Sequence, residues 1–248
     1  VFEGNPAAVC VTDEKLDEKI MQSIAMENNL SETAFVHKEN GVYRLRWFTP
    51  GGEVELCGHA TLASAYVILN HYERNREQVK FHTLSGTLTV QRNGELYEMD
   101  FPTYELQEIP VTDDMEKAFG VRPVKAVLGL DLICVFESAD IVKNMNPNQE
   151  LLRGIEGRIQ NATALGTETD CVSRSFCPKL SIAEDPVCGS AHCQIAAYWA
   201  NELKKKDILA YQASKRGGYL HCTLQTGNRI TISGEATLVA ISEIVVPL

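Results

Sequence analysis

The sequence predicts an α+β protein built from two copies of one structural unit, each with a buried helix between β-strands. A stretch that reads CGHATLASAYVIL from Cys57 occurs again as CGSAHCQIAAYWA from Cys188, 131 residues further along (57 to 188). Each stretch runs for about a dozen residues with almost no charge, which is typical of a helix buried on all sides. Alternating segments near both stretches predict the strands.

The duplication extends beyond the two helices. Upstream of them, the pattern R-x-F-x-P occurs at residues 46–50 and again at residues 174–178. Downstream, the strand pattern that begins at Gly86 matches the one that begins at Gly218, and a second alternating segment follows in each copy. Because these landmarks recur in one order at nearly one offset, we predict two lobes, over residues 1–108 and 109–248.

Other segments complete each lobe, for which 248 residues can supply a sizeable core. Apolar residues at helical spacing between Asp13 and Asn28 predict an amphipathic helix over a sheet. The second half repeats the plan less regularly. There we predict a helix near residues 148–159 and a last strand at residues 237–246, whose path back to the first lobe we leave open.

Composition excludes several classes of partner. A net charge of −10 and a pI near 5.1 argue against a nucleic-acid surface. No apolar run approaches the length that spans a membrane, so no membrane segment is expected. The eight cysteines include neither a CxxC pair nor a zinc-like Cys/His spacing. We therefore expect reduced thiols in the cytoplasm and no metal site.

The start of each buried helix is where the sequence predicts chemistry. A Cys-Gly pair precedes each helix, at residues 57–58 and 188–189, where backbone N–H groups and the helix dipole favour an anion or a thiolate. His59, Asp185 and Ser190 lie beside these pairs in the sequence and can bind a ligand or move a proton, and Glu32, where a loop turns into a strand, is a further candidate.

Each of these residues alone has an ordinary explanation. A glutamate at a loop is usually solvated, an aspartate before proline shapes a turn, and a serine at a helix start is a cap. The combination is more specific, because both helix starts carry Cys-Gly and a titratable neighbour. We predict that the two helix starts meet at the lobe interface, in a cleft that binds a small carboxylate between an acid and a base.

Several strings together resemble one known family. GNPAAVC, SETAFV, LCGHAT, EDPVCGSAH and RGG occur in this order over nearly the whole chain and resemble the PhzF-like family of phenazine biosynthesis, which shares its fold with diaminopimelate epimerase. The resemblance implies two pseudo-symmetric lobes, each a β-sheet rolled around a central helix, with the active site between them. It also implies a homodimer.

The resemblance also implies roles for individual residues. Glu32 of the SET string matches the general acid/base of the family, and His59 and Asp185 match residues that support it. The substrate is implied to contact the two helix starts at Gly58, Gly189 and Ser190. The implied reaction moves a proton on a small carboxylate with no metal or organic cofactor, and the chain contains no P-loop or G-x-G-x-x-G string that would indicate one.

Three functional hypotheses follow. The first is an isomerase in which Glu32 moves the proton. The second is an epimerase or racemase that uses Cys57 and Cys188, because Cys188 replaces the threonine of the phenazine enzyme and gives one cysteine per lobe. The third is a relative without catalysis that binds a metabolite. We favour the first because the whole polar set is present: Glu32, His59, Asp185 and Ser190.

Overall fold

A computed structural model describes residues 1–245, in which sixteen strands and six α-helices alternate along the chain as an α+β fold. The chain divides into two compact units. The first contains Val1, residues 6–99 and the described residues from Ser233 onward, and the second contains residues 2–5 and 100–232. The lobe boundary at residues 108 and 109 stays a prediction.

The first unit is a mixed sheet with strand order β1-β2-β3-β5-β6-β7. Its β1 and β2 are parallel, whereas β2 and β3 form an antiparallel pair. Its elements are β1 (Ala7–Thr12), α1 (Glu18–Asn28), β2 (Glu32–Glu39), β3 (Val42–Thr49), β4 (Gly52–Val54), α2 (Gly58–Val67) with a π-helical turn (Ile68–Tyr72), β5 (Gln78–Thr83), β6 (Gly86–Asn93) and β7 (Leu96–Pro102).

The second unit has strand order β16-β15-β14-β12-β11-β10-β9-β8, and β13 pairs with β12. Its elements are β8 (Gln107–Ile109), α3 (Asp113–Phe119), β9 (Lys125–Leu128), β10 (Leu132–Val135), α4 (Ala139–Asn144), α5 (Gln149–Gly154), β11 (Gln160–Leu165), β12 (Cys171–Cys177), β13 (Ile182–Asp185), α6 (Gly189–Leu203), β14 (Asp207–Gln212), β15 (Gly218–Gln225) and β16 (Arg229–Gly234). The last three residues of β7 belong to the second unit, and the last two residues of β16 belong to the first.

Both repeated stretches form the buried helices that their composition predicts. No residue of α2 is exposed, and the helix packs against β1, β2 and β6. The middle of α6 is buried among strand side chains that include Ile133, Leu220 and Ile230. Strands lie on several sides of each helix, which explains why the two helices carry almost no charged residues.

Shorter helices cover the outer faces of the sheets. In the first unit, Met21 and Ile24 of α1 pack on Phe35 and Phe48. In the second unit, α3, α4 and α5 bury residues such as Phe119 against β10, β11 and β12. Sequence analysis predicted α1 but not α3 and α4, which are only seven and six residues long.

Two predicted elements in the second half are wrong. The predicted helix over residues 148–159 is the short α5, which ends at Gly154 and is followed by Gly157 at φ 90°. The predicted strand over residues 237–246 forms no strand at residues 237–245, and residue 246 lies outside the described residues. Val239 and Ile241 are 70% and 78% exposed, so the alternation there has no sheet on which to pack.

Among residues 1–245, no helix combines the length and the hydropathy that a membrane crossing requires.

His192 is a fully buried polar residue in the first turn of α6. Its Nδ1 lies 2.8 Å from the carbonyl oxygen of Cys188 and its Nε2 lies 3.0 Å from the hydroxyl of Ser173. The carbonyl can only accept, so Nδ1 carries the proton and Nε2 accepts from the serine. Burial lowers the pKa of His192 to about 4, although the contact with Cys188 opposes the shift.

This burial predicts a pH dependence of stability. The unfolded chain binds a proton at this histidine more tightly than the folded chain, so stability is full above about pH 6.5 and falls by at most about 3 kcal/mol as the pH drops toward 4. In chemical denaturation across this window, His192→Gln should flatten the dependence. Ser173→Ala, which keeps the buried histidine, should lower stability at every pH and retain the slope.

Candidate active site

A bidentate ion pair fixes the strand that leads into α2. Arg46 on β3 donates from Nε and Nη2 to the two carboxylate oxygens of Glu53 on β4, at 2.6 Å each. The guanidinium carbon of Arg46 also lies 5.1 Å from the centre of the Phe48 ring. Both charged side chains are about four-fifths buried, which makes the pair costly to break.

The second unit contains the same ion pair at the matching position. Arg174 on β12 donates to both oxygens of Glu184 on β13, at 2.7 Å each, and lies 4.9 Å from the centre of the Phe176 ring. Glu53 and Glu184 each precede the cysteine of the helix start by four residues. The glutamates therefore share the offset of the repeat, a signal that sequence analysis overlooked.

The two helix starts that follow these ion pairs are not capped by side chains. Cys57 and Cys188 occupy the N-cap positions with extended backbone, and neither side chain makes a capping hydrogen bond with a backbone N–H of the first turn. Other helices of the protein are capped by residues such as Thr112 and Ser138. An uncapped first turn leaves N–H donors available to a ligand.

In the first unit, three of the predicted residues lie together at the start of α2. Nε2 of His59 is 3.1 Å from Oε2 of Glu32, and Nδ1 of His59 is 3.6 Å from the sulfur of Cys57. The side chains of His59 and Glu32 are only 18% and 15% exposed. We call these three residues the Glu32 cluster, in which the imidazole lies between a thiol and a carboxyl group.

The surroundings of His59 favour its charged form. Burial alone would lower the pKa, but Cys57 and Glu32 outweigh it and raise the pKa of His59 well above its usual range. The imidazole is therefore charged at neutral pH, and it lies between the carboxyl group of Glu32 and the thiol of Cys57.

The Glu32 cluster also has the composition of a metal site, although none was predicted. The donor atoms of Glu32, Cys57 and His59 lie within 4.8 Å of one another. The two ring nitrogens of His59, however, face different partners, and an imidazole presents only one nitrogen to a single ion. The arrangement fits a row of titratable groups on either side of one imidazole better than one coordination centre.

In the second unit, Asp185 lies at the end of β13 and holds two segments together. Its Oδ1 accepts from the amide of Asn5 at 2.9 Å and from the backbone N–H of Val187 at 3.1 Å. Arg216 of the RGG string in turn donates to the carbonyl oxygen of Gly4 at 2.6 Å. The GNP and RGG strings therefore both help to hold Asp185 in place before the start of α6.

The helix start itself contains Cys188, Gly189 and Ser190. The sulfur of Cys188 lies 3.4 Å from the hydroxyl oxygen of Ser190, and the backbone N–H of Cys188 donates to Gln212 at 2.8 Å. Burial, reinforced by the charge of Asp185, raises the pKa of the Cys188 thiol well above its usual range. Cys188 is therefore a neutral thiol at physiological pH.

Sequence analysis missed an arginine beside this helix start. Arg158 donates to the hydroxyl of Ser190 at 3.2 Å and to both oxygens of the fully buried Asp131, at 3.0 and 3.1 Å. Burial opposes the charge of Arg158, but its bonds to Asp131 outweigh this and raise its pKa. No motif marks either residue, because they lie 27 positions apart in ordinary turns.

The predicted residues thus form two groups, each within its own unit. Glu32, Cys57, Gly58 and His59 lie at the start of α2, and Asp185, Cys188, Gly189 and Ser190 lie at the start of α6. Their catalytic and substrate-binding roles stay predictions.

Comparisons with known proteins show a family match over nearly the whole chain and similar proteins of comparable length. The chain matches the family described as phenazine biosynthesis-like protein over residues 1–242. An uncharacterized isomerase of Pseudomonas aeruginosa is 45% identical over 96% of this chain and 92% of its own length. An uncharacterized isomerase of Halalkalibacterium halodurans is 44% identical over 98% of this chain and 93% of its own length.

Solved structures show the same fold. A phenazine biosynthesis PhzC/PhzF protein from Clostridium difficile, described as putative, is 46% identical and has a TM-score of 0.95, with 99% of this chain and 95% of its own covered. At 21% identity, a predicted epimerase from P. aeruginosa has a TM-score of 0.72, and a probable proline racemase reaches 0.61 at 10%. These last two show likeness of fold alone.

The two ion pairs predict matched losses of stability. Glu53→Gln and Glu184→Gln each leave a largely buried arginine without its carboxylate, and each should lower the free energy of unfolding by about 2 kcal/mol in urea denaturation. Asp100→Asn is the control, because Asp100 binds Arg229 at the surface and its loss should cost under about 1 kcal/mol. Equal losses in all three variants would show that burial does not strengthen the repeated pairs.

The charge of His59 can be read directly by nitrogen NMR. At pH 7 both ring nitrogens of His59 should carry protons. Cys57→Ser should lower the pKa of His59 more than Glu32→Gln does, because Cys57 exerts the larger influence. Cys10→Ser, at a thiol that packs against α1, should leave the titration unchanged. A neutral His59 at pH 7 in the wild type would contradict this electrostatic picture.

Proposed function

Because this chain belongs to the phenazine biosynthesis-like family, we propose that it is an isomerase that moves a proton on a small carboxylate metabolite. In this proposal Glu32 is the general acid/base and His59 supports it. The start of α6 binds the same substrate, with Ser190 and the N–H groups of the first turn as donors and with Asp185 ordering the approach to that turn.

One observation carries the proposal. Oε2 of Glu32 and Nε2 of His59 are both buried, yet within the described chain neither has a hydrogen bond of good geometry, although they lie 3.1 Å apart. Buried polar atoms are nearly always hydrogen-bonded, and exceptions are concentrated where a ligand or a proton is exchanged. A substrate group beside Glu32 would satisfy both atoms.

The proposed step needs only side chains of this protein. The Glu32 carboxylate takes a proton from a substrate carbon that adjoins a carbon–carbon double bond, and the electron pair of the broken C–H bond spreads over that double bond and the substrate carboxylate. The protonated Glu32 then returns the proton to a different carbon, which shifts the double bond and restores the carboxylate. The charged His59 stabilises Glu32 before the transfer, and N–H donors stabilise the negative charge that develops on the substrate.

A second candidate function has its own supporting observation. A two-thiol epimerase requires one thiolate and one thiol at the start of the reaction. Burial and Asp185 raise the pKa of Cys188, which keeps it a thiol, and the sulfur of Cys57 lies 3.6 Å from Nδ1 of the charged His59. We rank this function second because Glu32 lies in contact with the same imidazole. The homodimer is likewise a proposal, from the family resemblance.

The two functions are separated by deuterium exchange. The protein is incubated in D2O with a panel of small unsaturated carboxylic acids, and incorporation at carbon is read by proton NMR. Glu32→Gln should reduce exchange by roughly a hundredfold or more, whereas Cys188→Ser should retain most of it. Glu39→Gln, at the exposed end of the same strand, is the matched control and should exchange like wild type. Loss in Cys188→Ser with retention in Glu32→Gln would establish the epimerase instead.

A further inference from the structure

The ion pair between Arg158 and Asp131 is placed beside the start of α6 by three separate segments. Asp131 precedes β10, Arg158 precedes β11, and Gln194 lies on α6 one turn beyond Ser190. Gln194 donates to Asp131 at 2.9 Å and accepts from the backbone N–H of Asp131 at 3.1 Å. The carboxylate is thus fixed to the helix before it binds the arginine.

The hydrogen bonds of Asp131 are complete. Its two oxygens accept from Nε and Nη2 of Arg158, from the backbone N–H of Ile159 and from Gln194. A carboxylate has about four acceptor positions, so no further donor is needed there. Asp131 therefore holds the guanidinium in one orientation, which is the preorganisation that a binding arginine requires.

The guanidinium of Arg158, in contrast, does not use all of its N–H donors within the described residues. Nε and Nη2 are used by Asp131 and Ser190, but Nη1 has no acceptor among residues 1–245. The side chain is 36% exposed, so this edge of the guanidinium is accessible. A planar, oxygen-rich anion is the ligand that matches the edge of a fixed guanidinium.

We propose that Arg158 is a carboxylate-binding residue, which receives the carboxylate of the substrate at its Nη1 edge beside the hydroxyl of Ser190. The proposal rests on the proposed function and narrows it, because the substrate must then carry its carboxylate where Arg158 and the first turn of α6 both donate. Asp131 is the positioning residue. The Arg158–Asp131 pair carries no net charge, so recognition depends on directed N–H donors rather than on long-range attraction.

The test measures binding rather than turnover, with two probe pairs: benzoate with benzamide, and acetate with acetamide. Each amide is neutral and similar in shape to its acid. By ligand-observed NMR, wild type should prefer the carboxylate in at least one pair by roughly tenfold. The Nε–H resonance of Arg158 should move with that carboxylate and not with its amide.

The decisive variant is Arg158→Lys. It keeps a positive charge for Asp131, so the fold should persist, but it removes the planar edge and should reduce the preference to roughly twofold or less. Arg229→Gln, which removes another bidentate arginine–aspartate pair of the same unit, is the matched control and should retain the preference. No carboxylate preference in wild type, or a preference that survives in Arg158→Lys, would overturn the proposal.

Failure of this inference and failure of the proposed isomerisation have different signatures. If Arg158→Lys loses the preference but no acid exchanges deuterium with wild type, the carboxylate subsite stands and the proposed isomerisation fails. If wild type exchanges deuterium and the carboxylate preference survives in Arg158→Lys, the isomerisation stands and Arg158 has a structural role only.

Discussion

A bidentate arginine–glutamate pair, formed once in each unit, is the interaction on which both helix starts depend. The charges of each pair are largely buried, so neither partner can move away without leaving an unpaired ion. Each pair ties a short strand to the long strand before it, and the Cys-Gly helix start follows four residues after the glutamate. Each ion pair therefore fixes the chain segment that leads into its helix start.

The same scaffold carries opposite electrostatics at its two helix starts. At α2, a buried imidazole with a raised pKa provides positive charge between Cys57 and Glu32. At α6, burial, reinforced by the carboxylate of Asp185, raises the pKa of Cys188 and keeps it a thiol. The two copies of the unit thus differ in charge, because the start of α2 contains a charged imidazole and the start of α6 contains a neutral thiol.

Features that depend on local pattern could be predicted from the sequence. Uncharged helices and alternating strands were recognisable because burial acts on each residue separately, and Glu32, His59 and Cys57 were found through short motifs. Arg158 and Asp131 were not, because only the packing of two turns on α6 brings them together. The contact of Asn5 with Asp185 spans 180 positions, and Asn5 read alone as a turn residue. The last predicted strand failed because alternation at residues 237–245 has no neighbouring strand to complete it.

Stability alone does not explain why the buried Asp131 is paired with Arg158. A buried ion pair is weak as a source of stability, because the cost of removing two charges from water is about as large as their attraction, and an apolar pair often serves the fold as well. Here the pair is asymmetric, since the carboxylate is fully satisfied while the guanidinium keeps an accessible edge. A purely structural clamp needs no such edge. The cost of burying Asp131 is better explained if this carboxylate orients Arg158 to bind an anion than if it only joins two turns.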